Sequence, residues 1–444
     1  MQQAVVERNT PYSDHFRDLS EVRAGEPAWL AERRAAAMQA FEARGFPSRR
    51  NEAWRNLDLG PVSGTDFRPV RAAGAVDAEV EALRRQFPEA HLLVLVDGHL
   101  SAAHSRLDQL PQGLTVLPLA EAVRRQESLL RTHLGQHAEA AEHPFAALNM
   151  ALFEGGVLVQ AGRNQVLERP LVLVHLASAA ARQHAIYPRS LIVAEEGAQL
   201  QLVEVHRGRA GEYLNSPVTE IVAAPAANVD YYVMQESDPE AYHFGVVHAR
   251  LDRDARVSLH SFAAGGKVGR TELYVDLAAP GAEVEMDGLY LLNEGQYIDH
   301  HTWVRHLSPH CRSHQLFKGV LAGRCQAVFD GLVYVAKGAQ KTDAMQENRN
   351  LLLTPRAKVH SNPRLEIFAD DVRCTHGSSM GELDETALFY LRSRGIDGEA
   401  AKGMLIYAFI AEVLEPVKIE ALRQYQLAEA LRILPGDLAI QELT

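Results

Sequence analysis

A short motif recurs through the middle of this 444-residue chain: Ala, any residue, an aliphatic residue, any residue, a large apolar residue. It reads AQLQL from Ala198, ANVDY from Ala227, ARVSL from Ala255 and AEVEM from Ala282, at intervals of 29, 28 and 27 residues. Looser echoes begin at Cys325 (CQAVF) and Ala357 (AKVHS), and each copy follows a turn-like cluster: EEG, APA, DRD, PG, AGR and TPR. A repeat of this length holds two or three short strands and cannot bury its apolar face alone, so successive copies must stack and share one core. The pattern favours a β-solenoid of the β-helix type. An ordinary sandwich or barrel, with strands every ~8–12 residues, mimics such a period and stays open as the alternative.

The flanks have a different texture. PAWLAERRAAAMQAFEAR, from Pro27 to Arg44, is rich in helix formers and stops at Gly45 and Pro47. A strand-like run follows at His91 to Leu100, and two helical stretches are expected between Leu119 and Phe153. After Gly381 the apolar spacing becomes helical again in segments from Leu383, from Asp397 and from Ile419 to Leu434. Asp384 and Asp397 suit N-caps there, and Gly395 and Pro416 suit stops. The reading is a mixed α and β chain in three parts: a mainly helical domain at 1–154, a β-helix core at 155–381 and a helical domain at 382–444.

Charge and missing signatures narrow the function. With 45 basic against 57 acidic residues the net charge is −12, which argues against a general electrostatic grip on nucleic acid or an anionic membrane. The most apolar segment, Met404 to Leu414, is interrupted by Glu412 and falls short of the ~18 residues of a membrane span. The first residues lack the basic start and apolar stretch of a secretory signal, and Cys311, Cys325 and Cys374 cannot build a disulfide framework. A cytoplasmic protein is expected. The chain carries no phosphate-binding loop, no dinucleotide fingerprint, no nucleophile elbow and no zinc-protease helix.

Two stretches hold candidate ligands. YIDHHTWVRHLSPHCRSHQLFKG gathers His300, His301, His306, His310, Cys311 and His314, residue types that suit a transition metal. Pro309, however, breaks any helix that would align them, and the spacing matches no structural zinc site, so packing and hydrogen bonding are the favoured role. In LEIFADDVRCTHG, an extended run from 370 to 376 would place Asp370, Val372, Cys374 and His376 on one face, with Asp371 on the other. Cys374 and His376 would lie roughly 6–7 Å apart along the strand, near enough to converge on one metal. A small buried cysteine and a hydrogen-bonded histidine are the plainer reading. Two ligands cannot complete a four-coordinate site, so further ligands would have to come from elsewhere, such as another subunit.

These same residues carry a family resemblance. HSNPRLEIFADDVRCTHGSSMGELDETALFYLRSRGI, from His360 to Ile396, is similar to the signature region of the SufD branch of the SufB/SufD family, scaffold subunits of SUF iron-sulfur cluster assembly. TDAMQENRNLLL from Thr342, the histidine-rich stretch from Ile298 and, more weakly, NEAWRNLDL from Asn51 share the likeness, with Asn56 and Leu57 departing from the usual Tyr and Thr. The resemblance implies a right-handed parallel β-helix between helical terminal domains. It also implies a non-enzymatic scaffold that pairs with SufB through the β-helix and binds the ATPase SufC through its carboxy-terminal helices in a SufB-SufC2-SufD assembly. Cys374 and His376 would then meet iron or a transient cluster at the SufB interface and support iron entry, with Asp370 a further candidate. A reduced flavin on the whole complex belongs to the same expectation, while the unpaired strand edges of a solenoid's last coil predict a homodimer of the isolated chain through its β-helix. Two rivals come from the residues: a β-helix carbohydrate-active enzyme using Asp370 and Asp371, and a stand-alone metal protein using the histidine group.

Overall fold

The repeats fold as coils. The structure is a computed structural model that describes residues 11–23, 25–107, 110–138 and 143–432. One sheet takes the strands Gly156–Ala161, Arg189–Ala194, Val218–Ala223, Tyr242–Leu251, Val268–Leu277, Tyr297–His306, Gln326–Val335 and Lys358–Ile367, side by side in that order. The other takes Leu171–Ala177, Gln199–Gly208, Asn228–Glu236, Arg256–Ala264, Glu283–Leu292, Arg312–Leu321, Asp343–Leu352 and Arg373–Gly381. Within each series every pairing is parallel, between a strand and its counterpart one coil later. The result is a solenoid of about eight turns, and not a sandwich of antiparallel hairpins.

Register explains the motif. Asn228, Arg256, Glu283, Arg312, Asp343 and Arg373 stack in one column of the second sheet. The residue before each of the first four is Ala227, Ala255, Ala282 or Cys311, and all four are buried where the coil turns into that sheet. The echoes at Cys325 and Ala357 belong to the opposite corner, because they precede Gln326 and Lys358 of the first sheet. Each coil turns twice and both corners need a small buried residue, so one motif marks two phases of the repeat. From there the strands alternate, sending Leu200, Leu202, Val229, Tyr231, Val257, Leu259, Val284 and Met286 into the shared interior.

The amino-terminal part closes one end of the solenoid. His91–Val96 adds in parallel to Leu171–Leu176, and Leu114–Pro118 adds antiparallel to the first strand of the other sheet, so both opening edges are covered. The helix expected to end at Arg44 spans Ala28–Arg44, and Gly45 follows it at φ 67°. Among the described residues between Leu119 and Phe153 there are three helices where two were expected, Leu119–Arg125, Glu127–His133 and Pro144–Leu152. Gln126, at φ −131°, separates the first two.

At the carboxy terminus the helices are Glu385–Ser393, Gly398–Leu414 and Glu420–Arg432. Asp384 caps the first through the N–H groups of Thr386 and Ala387, and Asp397 caps the second through that of Glu399. Ile433 and Leu434, expected to end the third, lie outside the described residues. The last two helices bury Ile410, Val413, Leu414, Leu422 and Ala430 against Tyr232, Met234, Phe262 and Leu289 on the outer face of the second sheet. Lys318 donates from beneath to Glu412 (2.7 Å) and to the Phe409 carbonyl (2.5 Å). No described helix is long and apolar enough to cross a membrane.

Asp287 lies on this covered face, 6% exposed. Burial first, then the nearby carboxylates of Glu285 and Glu412, push its pKa up to about 7. An acid whose pKa rises on folding contributes its full stability below the unfolded value and loses it as the pH climbs through the folded one. Asp287→Asn is therefore expected to raise the unfolding free energy by about 2 kcal/mol at pH 8 and by much less at pH 4. Urea unfolding at the two pH values checks this; an equal effect at both would remove the charge argument.

Candidate functional site

The far end of the solenoid is left open. Lys358–Ile367 and Arg373–Gly381 each have a neighbouring strand on one side only, and most of their residues are at least partly exposed. Cys374 pairs in register with Ala344, and His376 with Gln346. Ala344 and Gln346 are buried, and Cys374 and His376 continue their row. Among the described residues no coil stacks above them, so the row that is interior elsewhere is presented at the mouth. Cys374 is half-buried against Val333, Ala344 and Ala369, while His376 is exposed.

Burial first and the Asp343 carboxylate second push the Cys374 thiol pKa up. The group is thus a protonated thiol in the isolated chain. A nearby metal ion or positively charged surface acts in the opposite direction on such a thiol and favours its thiolate.

Asp370 does not join this face. The extended run expected from 370 begins only at Arg373, and residues 370 and 371 form a bend. The Asp371 N–H donates to Gln340 Oε1 (2.9 Å), its carbonyl accepts from the Lys341 N–H (2.6 Å), and its carboxylate pairs with Lys341. These contacts fix the corner between the two strands and leave Asp370 exposed on it.

The histidine-rich stretch is dispersed by the same alternation. His300 and His306 turn inward, each with its Nε2 at a hydroxyl, Ser261 (3.2 Å) and Ser313 (2.8 Å). His301 turns outward to Asp299 (3.0 Å). His310 sits on a turn at φ 60°, Cys311 is a buried corner residue, and His314 is exposed. NEAWRNLDL packs beside this stretch: Arg270 stacks on Trp54 at 3.7 Å and donates to the Ala53 carbonyl, and Leu57 is buried.

Sequence reasoning missed a change in the interior itself. In the last coils the inward row becomes polar, with Gln315, Gln346, Asn348 and Asn350 all buried. Asn348 donates to the Tyr290 hydroxyl (2.8 Å), which in turn donates to Asn350 (2.5 Å). The signal was present in TDAMQENRN, where Gln346, Asn348 and Asn350 alternate at period two, as apolar residues do in earlier coils.

Comparison with known proteins covers nearly the whole chain. The family model described as SUF system FeS cluster assembly, SufBD core domain, matches residues 175–409, and the SufBD protein N-terminal region matches residues 6–173. The chain belongs to the SufBD family. It is 31% identical over 404 residues to the iron-sulfur cluster assembly protein SufD of Escherichia coli (strain K12), covering 90% of this chain and 92% of that protein. An iron-sulfur cluster assembly SufBD family protein of Synechocystis is 30% identical over 420 residues, 92% of either chain. SufD of Bacillus subtilis is 25% identical over 443 residues, 93% of this chain and 95% of that protein. As a SufBD protein and SufD homologue, the chain is a scaffold-family member of iron-sulfur cluster assembly, and the core-domain match contains both Cys374 and His376.

Proposed function

We propose that this chain is the SufD-like subunit of a SufB-SufC2-SufD assembly and that its open final coil, with Cys374 and His376, supplies half of a site where iron enters and nascent clusters form. The observation that carries this reading is the placement of an inner-row thiol, half-buried, and an exposed imidazole on a strand with one free edge. Their coordination is incomplete, and the cluster is cargo shared with SufB. The carboxy-terminal helices offer a docking surface for SufC: Phe389 and Tyr390 are 74% and 56% exposed on a helix that buries none of its residues. With no phosphate loop in the sequence, ATP hydrolysis belongs to that partner. The flavin belongs to the assembled complex in this reading and is assigned to no residue here.

Co-expression with a SufB and a SufC relative tests the assembly. The three chains are expected to elute together, and Phe389→Ala with Tyr390→Ala to release SufC while SufB stays bound. Elution of this chain alone would overturn the reading.

The free edge also predicts the behaviour of the isolated chain, because an unpaired strand templates pairing with a like edge. Arg373 donates inward to the Thr342 carbonyl, so alternation turns the Ser378 N–H toward the unpaired side. A homodimer is expected in sedimentation at micromolar concentration, and Ser378→Pro, which removes one outward donor, is expected to shift it to monomer with little change in thermal unfolding. A monomeric parent would count against this use of the edge.

A further inference from the structure

A second group of ligands lies deep in the solenoid. His175 and His206 pair in register on adjacent strands, and Glu204 is two residues before His206 on the same inward face. The side chains are 5%, 2% and 1% exposed. From the Glu204 column to the final strand there are six strand spacings, roughly 29 Å, so this group is separate from Cys374 and His376.

The geometry converges on one point. His175 Nε2 lies 2.9 Å and His206 Nε2 3.4 Å from the same oxygen, Glu204 Oε1. The three donor atoms all fall within 4.8 Å of one another. Two ligands at the usual 2.0–2.2 Å from a tetrahedral ion are about 3.3–3.6 Å apart, so these separations need only a small tilt of the rings. Those rings already lie nearly parallel, 4.6 Å between centroids. His175 Nε2 is close to the carboxylate yet off any hydrogen-bond axis, and its Nδ1 is also without a hydrogen bond. A buried imidazole with both nitrogens unsatisfied is costly.

The surroundings hold the ligands as metal sites do. Glu204 Oε2 accepts from the Tyr231 hydroxyl (2.5 Å) and from Thr219 Oγ1 (2.8 Å), leaving Oε1 toward the histidines. Asn215 faces Nδ1 of His206 (3.5 Å) and of His243 (3.2 Å), and its own Oδ1 is buried without a partner. Turning that amide lets Oδ1 accept Nδ1–H of His206, the tautomer that leaves Nε2 as a lone-pair donor. The ion-pair partners of the buried Glu204 charge are the two histidines.

We infer that His175, Glu204 and His206 form a buried site for one divalent first-row transition ion of imidazole and carboxylate preference, such as zinc or iron(II). The two-histidine, one-carboxylate set suits these ions. The ion neutralises Glu204, occupies the unsatisfied His175 nitrogen and ties two successive coils together.

The test uses untagged full-length protein, stripped with a chelator and titrated with Co²⁺ as a spectroscopic probe. One equivalent is expected to bind with ligand-field bands and no thiolate charge-transfer band. Glu204→Gln and His206→Gln are each expected to weaken binding at least about 100-fold, while the Cys374→Ser, His376→Ala double variant retains it. X-ray absorption on the parent protein loaded with zinc is expected to show nitrogen and oxygen neighbours, imidazole scattering and no sulfur; it decides the matter even if the core variants fail to fold. Failure of the parent to bind Co²⁺, undiminished binding in a folded Glu204→Gln variant, or a sulfur neighbour would each overturn the site. Loss of binding in the Cys374, His376 double variant would move the ion to the solenoid mouth.

Discussion

His376→Ala is expected to lower cluster formation by the co-expressed complex about tenfold or more, with thermal unfolding of the purified chain unchanged. The two readouts separate because His376 is exposed on the final strand, and surface substitutions of this kind stay within ~0.5 kcal/mol in stability. Cys374→Ser should give a comparable loss of clusters with a modest stability cost, since its hydroxyl would face Val333, Ala344 and Ala369 in place of the thiol. Asp370→Asn is the control. It sits on the bend, off the face that carries the other two, so cluster yield is expected to stay near that of the parent. Cluster content is read by absorption and by iron and sulfide analysis after reconstitution in cells. Unchanged yield in both His376→Ala and Cys374→Ser would end their assignment to the shared site. A loss matched by a lower unfolding temperature would make it a folding effect.

The solenoid was legible because its constraint is periodic. A small residue is needed at each corner and an apolar residue at each inward position, and both survive as a repeat near 28 residues. The two corners were not separable from the letters alone, since Cys325 and Ala357 satisfy the same steric demand as Ala255 from the opposite sheet. The pairing of Cys374 with His376 followed from strand alternation. Asp370 did not follow, because contacts of Asp371 with Gln340 and Lys341, one coil earlier, decide where the strand begins. The His175, Glu204 and His206 group escaped for the converse reason. Residues 31 apart become neighbours only once the coil length is known, and a search for histidines one coil apart would have found them.

Arg189→Met is expected to cost about 3–5 kcal/mol, the usual penalty for stranding one member of a buried ion pair. Arg189 and Glu220 are both fully buried, joined at 2.7 Å. Arg189 also donates to Asn149 Oδ1 (3.0 Å), whose amide donates to the carbonyls of Pro188 and Ser216 at 2.8 Å each. Glu220 accepts from the backbone N–H groups of Gly135 (2.7 Å), His137 (3.0 Å) and Ala138 (3.3 Å). The pair thus ties the segment after the helix Glu127–His133, and the helix Pro144–Leu152, to the first coils. Burial works against the Glu220 charge, yet Arg189 and those N–H groups hold its pKa below the usual value. An acid with a depressed folded pKa contributes stability above its unfolded value, near pH 4.3, and loses it as the pH falls through the folded one. The Arg189→Met penalty should accordingly be full at pH 7 and shrink in acid. Adding Glu220→Gln to Arg189→Met should return part of the loss at pH 7, since the amide oxygen keeps an acceptor for the backbone while the stranded charge is gone. Urea unfolding of the parent, both single variants and the double variant gives the coupling directly. A single-variant cost below about 1 kcal/mol would mean that water reaches Glu220 once Arg189 is removed, and that the amino-terminal segment is held instead by its apolar contacts with the first sheet.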